Sequence, residues 1–183
     1  MIKKKQSRHT PIIVIFLTIA VIVLVRHFHI KNFHVIEPGV LYTSGQPRGM
    51  DYTRLLYKYH IATFVNVRCA DEHREENWYN EERTWVGDNG VNYVELPIER
   101  TDRARQFPNK ETQQKFLKIM AARENLPVLV HGSSGRKRVS MLTAVWLIRS
   151  KGKNATEAIE IVEAIRDKAV TDVERRFIES LVR

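Results

Sequence analysis

The chain has little cysteine, no internal repeat and no acid near its amino end. Cys69 is the single cysteine among 183 residues, which excludes an intrachain disulfide framework. Residues 1–35 contain six lysines and arginines, so the net charge of +9 falls to +3 over the remainder. A nucleic-acid-binding domain would carry its basic excess on its own folded surface. The composition therefore argues against nucleic acid as a partner, and the length suits one domain with short additions.

Long hydrophobic runs are also scarce, and the longest covers only residues 11–25. Four basic residues precede this run, Arg26 ends it, and no small-x-small cleavage site follows. Because flanking basic side chains can extend a short span, this pattern predicts one uncleaved N-terminal transmembrane helix. The charge bias around the run predicts a domain on the non-cytoplasmic side. The predicted organisation is a basic N-terminus and membrane anchor over residues 1–35, and a folded domain over residues 36–183.

Within residues 36–183, short apolar runs alternate with helical periodicities. This alternation predicts an α/β fold whose central, mainly parallel sheet is flanked by helices. The predicted strands cover residues 40–42, 61–67, 91–96 and 127–130. The predicted helices cover residues 51–60, 72–86, 108 onward, 137–150, 154 onward and 171 onward. Asn154 with Glu157, and Thr171 with Glu174, have the spacing of helix-capping pairs.

A glycine-containing loop follows the last predicted strand, in the segment His131-Gly-Ser-Ser-Gly-Arg-Lys-Arg138. A strand that enters such a turn and then a helix aims backbone N–H groups and the positive helix end at one point, which suits an anion. Gly135 permits a backbone conformation that a side chain would obstruct. Arg138 lies in the first helical turn, where its guanidinium can hold two phosphate oxygens. The predicted phosphate-binding residues are His131, Ser133, Ser134, Gly135, Arg136, Lys137 and Arg138.

The loop has three other interpretations: a Walker nucleotide site, an RNA-binding loop and a basic surface turn. No G-x-x-x-x-G-K-[ST] spacing passes through these residues, which excludes a Walker nucleotide site. Gly132 and Gly135, followed by basic residues, also have the spacing of an RNA-binding G-x-x-G loop. That loop normally joins two helices, whereas residues 127–130 predict a strand. A basic surface turn is the remaining interpretation of an isolated motif.

The segment resembles the H-C-x-x-G-x-x-R-[ST] signature of the dual-specificity and tyrosine phosphatase superfamily. The resemblance covers roughly residues 38–180 and is closest to the atypical bacterial and plant-type dual-specificity branch. It also rests on Leu41-Tyr-Thr-Ser-Gly-Gln-Pro47, Phe64-Val-Asn-Val-Arg68, the acidic residues 71–76 and Val91-x-Tyr93-x-x-Leu96-Pro97. It implies a fold of that family, a thiolate that attacks phosphorus, and an aspartate that protonates the leaving oxygen. No metal or cofactor is implied.

Two positions depart from the signature. Gly132 stands where the cysteine nucleophile belongs, and Val139 replaces the hydroxyl residue that follows the arginine. Glycine has no side chain, so the covalent step cannot follow the family route. The neighbouring Ser133 and Ser134 lack the acidity of a thiol. Ser140 is a candidate for the missing hydroxyl, displaced by one residue along the helix.

The resemblance points to Asp102 as the general acid, thirty residues before Gly132, with Glu99 as the reserve candidate. The alternative is a solvated aspartate neutralised by the arginines at 100, 103 and 105. Those arginines also suit the recognition of an acidic substrate. In lipid-phosphatase relatives a cysteine near the position of Cys69 pairs with the nucleophile. Here Cys69 has no such partner and is interpreted as a small core residue.

Two functional hypotheses follow. The first is a phosphoric monoester hydrolase by descent, inactive as it stands unless Gly132 is an introduced substitution. The second is a membrane-anchored pseudophosphatase that binds a phosphorylated protein or a phosphoinositide-like ligand without turnover. Both use the same pocket and differ in catalysis. No cofactor, metal or nucleic acid is expected in either.

Overall fold

The computed structural model describes residues 11–19, 29–73, 77–99 and 107–182. Its strands are β1 His34–Glu37, β2 Leu41–Ser44, β3 Thr63–Asn66, β4 Asn92–Glu95 and β5 Val128–His131. They form one sheet in the order β1-β2-β5-β3-β4. β1 pairs antiparallel with β2, and the other neighbouring pairs are parallel. The predicted α/β fold with a mainly parallel sheet is confirmed.

Helices cover both faces of this sheet. They are α2 Met50–Tyr57, α3 Asn77–Asp88, α4 Lys110–Ala121, α5 Lys137–Arg149, α6 Ala155–Arg166 and α7 Asp172–Ser180. A further helix, α1 (residues 11–19), precedes them in the chain and is exposed along its described length. Successive side chains of a strand point to opposite faces. Val128 and Val130 of β5 accordingly pack with α4, α5, α6 and α7, whereas Leu129 packs with α2 and α3. β5 is buried along its whole length, so the loop that follows it emerges from the centre of the fold.

Local sequence signals account for the starts of three helices. The Asn109 side chain accepts a hydrogen bond from the Thr112 N–H at 2.8 Å and begins α4. Asn154 and Glu157 form a reciprocal capping box at the start of α6. The predicted capping box of Thr171 and Glu174 likewise begins α7. Each cap satisfies N–H groups that the helix itself leaves unpaired.

The structure differs from the predicted elements around the third strand. A helix was expected from Glu72 onward, but residues Ala70–Glu72 form a single 3₁₀ turn and α3 begins at Asn77. The turn lets the Glu72 carboxylate accept a hydrogen bond from the Cys69 N–H at 3.2 Å. β1 was not predicted, since four half-exposed residues on a sheet edge give a weak alternating pattern.

The predicted membrane anchor is contradicted. Across the described residues, no helix is both long and apolar enough to cross a membrane. The rest of the predicted span, residues 20–25, lies outside the described residues. The single-pass localisation and the non-cytoplasmic placement derived from it are therefore wrong.

Candidate phosphate-binding site

The loop of residues 132–136 leaves the carboxyl end of the central strand. Ser44 of β2 and Asn66 of β3 flank His131 in the parallel register, so the chain segments after all three strands meet at one edge. Ligands of open parallel α/β sheets bind at this edge. α5 begins at Lys137 directly after the loop, and its positive end therefore faces the same place.

Gly135 is the position where the loop requires glycine. Its φ is +70°, in the left-handed region that side chains rarely adopt. A Cβ atom there would lie 2.2 Å from the backbone nitrogen of Gly45 and 2.3 Å from the carbonyl carbon of Ser44. The loop thus packs directly on the backbone that follows β2. The expectation that a side chain would obstruct this position is confirmed.

A segment before β1 orients the peptide groups of the loop. Lys31 Nζ donates to the Ser133 carbonyl at 3.0 Å, and Asn32 Nδ2 donates to the Ser134 carbonyl at 2.6 Å. The C=O and N–H of a trans peptide point in opposite directions. The N–H groups of Ser134 and Gly135 therefore point away from this segment, which we call the strap (residues 29–33).

The loop N–H groups remain available as hydrogen-bond donors. Within the described residues, no acceptor contacts the backbone N–H of Ser133, Ser134, Gly135 or Arg136. Unpaired N–H groups at a strand–helix turn are costly unless water or an anion satisfies them. The arrangement suits an oxyanion ligand.

Arg138 is held end-on by the carboxylate of Glu72, a residue that no sequence motif singles out. Its Nη1 and Nη2 atoms donate to Oε1 and Oε2 of Glu72, the second bond measuring 3.0 Å. Nη1 also donates to the carbonyls of Val67 at 3.3 Å and Ile98 at 3.1 Å. The side chains of Arg138 and Glu72 are 10% and 8% exposed, so this pair is largely withdrawn from solvent.

This contact leaves one edge of the guanidinium available. An arginine side chain carries five N–H donors in a fixed plane. The bonds of Arg138 use the Nη1–Nη2 end, while its Nε–H and the outer Nη2–H have no acceptor among the described residues. These two parallel donors form the second fork that can hold two oxygens of a phosphate.

Electrostatics keep Glu72 ionised. Burial alone would raise the pKa of its carboxyl group, but the hydrogen bonds and positive charge of Arg138 outweigh burial and lower it. The Cys69 N–H and the Arg68 charge lower it further. Arg68 Nε lies 3.3 Å from Oε2 of Glu72, and its guanidinium stacks 3.8 Å from the Trp78 ring centroid. One carboxylate therefore organises two arginines at the edge of the loop.

Gly132, the first residue of the loop, is where the resemblance predicts the nucleophile, and it has no side chain. It is buried, and a Cβ atom there would lie 3.1 Å from Cγ2 of Val67 and 3.5 Å from Cγ2 of Val139. Its φ is not in the left-handed region, so a side chain fits if Val67 shifts by a few tenths of an ångström. Ser140 does not restore the missing hydroxyl, because its Oγ donates to the Lys137 carbonyl at 2.9 Å.

His131 lies behind the loop rather than in contact with the ligand space. It is fully buried, its ring meets Phe64 edge-on, and its Nε2 lies 3.5 Å from Oε2 of Glu82. Burial, followed by the charges of Arg68 and His73, lowers the pKa of His131 to about 3. The imidazole is therefore neutral at physiological pH and supports the loop from beneath.

Glu82 is the second buried acid of this region. It accepts hydrogen bonds from Gln46 at 2.8 Å, Tyr52 at 3.4 Å and Tyr93 at 2.8 Å. Burial raises the pKa of Glu82 to about 7 despite these donors. A buried acid in the middle of a helix offers no sequence signal beyond its polarity, so the role of Glu82 could not be predicted from the sequence.

The other predicted residues are only partly placed. Asp102 and the arginines at 100, 103 and 105 lie outside the described residues. Glu99 is half-buried just beyond Ile98, whose carbonyl contacts Arg138. Cys69 is half-buried, and its Sγ donates to that same carbonyl at 3.2 Å. Burial raises the pKa of the Cys69 thiol, with Arg138 opposing, so it is not a thiolate.

The site is a strand–loop–helix turn with free amides, followed by an arginine fixed on a buried carboxylate, and this arrangement suits an oxyanion. Comparisons with known proteins give the family. The profile of the dual specificity phosphatase catalytic domain matches residues 41–182, and the chain belongs to this family. The tyrosine-protein phosphatase-like protein OCA2 of Saccharomyces cerevisiae is 23% identical over 105 residues. That match covers 57% of this chain and 49% of OCA2, so the chain matches only about half the length of this curated relative.

Solved structures share the fold at low identity. The catalytic core of the PP-IP phosphatase SIW14 from S. cerevisiae, in complex with citrate, is 18% identical with a TM-score of 0.64. The match covers 81% of this chain and 84% of that structure. PTPMT1 in complex with PI(5)P is 20% identical with a TM-score of 0.64, and the match covers 82% of this chain and 94% of that structure. TpbA from P. aeruginosa is 24% identical with a TM-score of 0.57, covering 84% of each chain.

Proposed function

We propose that this chain is a phosphatase-like protein that binds a phosphate monoester in the loop of residues 132–138 and does not hydrolyse it by the family route. The free fork of Arg138, held beside four unpaired loop N–H groups, is the observation that carries the proposal. Charge-assisted hydrogen bonds of this kind contribute about 1.5–3 kcal/mol each. The donors required for binding are thus available without the nucleophile.

The absence of turnover follows from the chemistry at one position. Transfer of the phosphoryl group requires an atom that attacks phosphorus and releases the alcohol, and Gly132 supplies none. Ser133 and Ser134 follow it in the loop, but their ordinary hydroxyls are far weaker nucleophiles than a thiolate at neutral pH. Ser140 is engaged with the Lys137 carbonyl. A bound monoester would therefore be retained rather than cleaved.

The partner that fits this site is a phosphorylated protein or a phosphoinositide-like molecule. Among the related structures, SIW14 is described as a PP-IP phosphatase. PTPMT1 was solved in complex with PI(5)P, and TpbA was solved in complex with pTyr. These molecules share a terminal phosphate with three free oxygens. Such a group matches a loop of convergent N–H donors capped by an arginine fork.

A second candidate function is hydrolysis with cysteine at position 132. It is favoured by the space around Gly132, where the nearest contact of an added Cβ is a valine methyl at 3.1 Å rather than backbone. A thiol there would emerge beside the loop amides and the end of α5, which lower a cysteine pKa. For catalysis the site would then need only a general acid, and Asp102 is the residue predicted for that role.

Calorimetric titration of the full chain with orthophosphate tests the proposal, together with turnover of 4-nitrophenyl phosphate. We expect binding without turnover. Arg138→Ala should weaken binding about 100-fold, because it removes two charge-assisted hydrogen bonds. Arg123→Ala is the matched control, since this exposed arginine lies before the opposite end of β5. Failure to bind any phosphate, or equal effects of the two substitutions, would overturn the proposal.

A further inference from the structure

A continuous series of hydrogen bonds and ion pairs joins the two buried acids of this region, Glu82 and Glu72. Gln46 Nε2 donates to Oε1 of Glu82 at 2.8 Å, and Gln46 Oε1 accepts a bond from Nη1 of Arg68 at 3.3 Å. Arg68 Nε lies 3.3 Å from Oε2 of Glu72, whose carboxylate holds Arg138. We call this series of five side chains the polar path. It connects the buried side of α3 to the guanidinium at the start of α5.

The amide of Gln46 has one orientation that fits the polar path. Arginine carries donors and no acceptor, so the Gln46 oxygen has to face Arg68, and its NH2 group has to face the carboxyl oxygen of Glu82. An amide turned by about 180° would set donor against donor on one side and oxygen against oxygen on the other. The position of Glu82 therefore determines which end of Gln46 meets Arg68.

Glu82 also reaches Arg68 by a second connection. Tyr93 Oη donates to Oε2 of Glu82 at 2.8 Å and accepts a hydrogen bond from Nδ2 of Asn66 at 2.8 Å. Asn66 Oδ1 in turn accepts a hydrogen bond from the backbone N–H of Arg68 at 2.9 Å. Glu82 is fully buried and cannot move toward solvent. The backbone of Arg68 and its side chain are thus both tied to one fixed carboxyl group.

The guanidinium of Arg68 is held on its face as well as along its edges. It stacks 3.8 Å from the ring centroid of Trp78, and its Nη2 donates to the backbone carbonyl of Glu72 at 3.2 Å. A planar guanidinium that is stacked and bonded in this way has little freedom to rotate. The Glu72 carboxylate consequently lies between a fixed cation, Arg68, and the cation of the phosphate site, Arg138.

Order in Arg138 before binding favours a ligand. A long side chain that becomes ordered only when the ligand arrives loses rotamer freedom, and this loss reduces affinity. Glu72 orders Arg138 in the structure, and Arg68 limits the positions that the Glu72 carboxylate can take. The orientation of the Arg138 fork therefore depends on residues that lie one and two contacts further along the polar path.

Resting on the proposed function, we infer that Gln46 and Arg68 are positioning residues of the phosphate site. They connect the buried Glu82 to Glu72 and so hold Arg138 in the orientation that binds two phosphate oxygens. Neither residue is required to contact the ligand. Their effect on affinity passes through Glu72, which distinguishes this role from a general contribution to folding.

A double-mutant cycle, measured by calorimetric titration of the full chain with orthophosphate, tests this connection. We expect Gln46→Met, which keeps the volume and removes both polar ends, to weaken binding about fivefold. Glu72→Gln alone should weaken binding about tenfold. The double variant should also lose about tenfold, because the polar path is already interrupted at Glu72, whereas independent effects would multiply to about fiftyfold.

Two further variants separate charge and damage to the Glu82 cluster from positioning. Arg68→Lys keeps the positive charge and lacks the planar fork, so it should weaken binding about fivefold and be non-additive with Glu72→Gln. It carries the same test if Gln46→Met does not fold. Tyr52→Phe is the control, because it removes a donor to the same Glu82 oxygen from outside the polar path and should change affinity by less than about twofold. Urea denaturation shows that each variant is folded.

The outcomes separate this inference from the proposed function. Absence of orthophosphate binding by the parent chain would overturn the proposed function and this inference with it. If the parent chain binds, unchanged affinity for both Gln46→Met and Arg68→Lys, or losses that multiply with that of Glu72→Gln, would overturn the inference alone. Equal losses for Tyr52→Phe and Gln46→Met would overturn it as well, because they would show damage to the Glu82 cluster rather than interruption of the polar path.

Discussion

Glu72 and Arg138 face each other across the edge of the sheet, with Nη1 of the guanidinium donating to Oε1 of the carboxylate and Nη2 donating to Oε2. The pair fixes one end of the arginine and leaves the other for a ligand. Glu72 belongs to a 3₁₀ turn after β3, whereas Arg138 lies in the first turn of α5. The contact therefore joins two segments that meet only because their strands are adjacent.

Removing the charge of Glu72 should impair both binding and stability. We expect Glu72→Gln to weaken orthophosphate binding about tenfold, because Arg138 loses its fixed orientation. Two mostly buried arginines would also lose their carboxylate, which lowers the free energy of unfolding by roughly 3 kcal/mol. Calorimetry and urea denaturation measure the two effects. Asp71→Asn, an exposed neighbour, is the control, and unchanged affinity at reduced stability would assign Glu72 a purely structural role.

The buried pair Glu82 and His131 predicts a specific dependence of stability on pH. The pKa of Glu82 is raised to about 7 from an unfolded value of about 4.3, so the native state binds more protons between these values. Its contribution to stability therefore falls as pH rises through this window, by roughly 3 kcal/mol in total. The pKa of His131 is lowered to about 3 from about 6.5, and its contribution rises with pH between these values.

Glu82→Gln isolates the carboxyl group from the histidine. The difference in unfolding free energy between this variant and the parent should shift in favour of the variant by roughly 3 kcal/mol from pH 4.3 to pH 7. Urea denaturation at closely spaced pH values measures it. Glu81→Gln, at an exposed position on the same helix, should show no such shift. A flat difference for Glu82→Gln would mean that this carboxyl titrates normally.

The two loop glycines should respond differently to the same substitution. Gly135→Ala places a methyl group against the backbone of Gly45 at a φ of +70°, so it should abolish phosphate binding and cost at least about 2 kcal/mol. Gly132→Ala meets only side-chain methyl groups and should change stability by less than about 1 kcal/mol. Thermal unfolding and orthophosphate titration compare them. Equal tolerance at both positions would contradict the packing of the loop on β2.

A cysteine at position 132 should give the site phosphate-monoester hydrolase activity. We expect Gly132→Cys to hydrolyse 4-nitrophenyl phosphate, and the added Asp102→Asn to lower kcat about 100-fold through loss of the general acid. Glu99→Gln in the same background is the matched control. If Glu99→Gln reduces kcat and Asp102→Asn does not, Glu99 is the acid. An inert Gly132→Cys that still binds orthophosphate would favour a module specialised for binding.

Local signals explain which parts of the site could be predicted from the sequence. The strand, loop and first helical turn are contiguous, so their residue types and spacing identified the loop, and Gly135 proved to be required where glycine was expected. The caps at Asn154 and Thr171 act over three residues and were found for the same reason. The short apolar run at the N-terminus misled the prediction, because an apolar run of this length does not by itself specify a membrane span.

Long-range pairings explain what was missed. Glu72 lies 66 residues before Arg138, and no spacing rule connects an acid in a turn with an arginine in a later helix. The Glu82 network depends on Gln46, Tyr52 and Tyr93, which come from three different segments. Tertiary proximity, rather than residue type, gives these side chains their roles.

The strap has a practical consequence for where this domain begins. Ile30 is buried in the core, and Lys31 and Asn32 hold loop carbonyls that lie 102 residues further along the chain. A truncated protein that starts at β1 would retain every strand of the sheet and still lose the two donors that set the direction of the loop amides. A ligand-binding assay on such a fragment would report on a differently shaped loop, so fragments intended for binding studies should begin before His29.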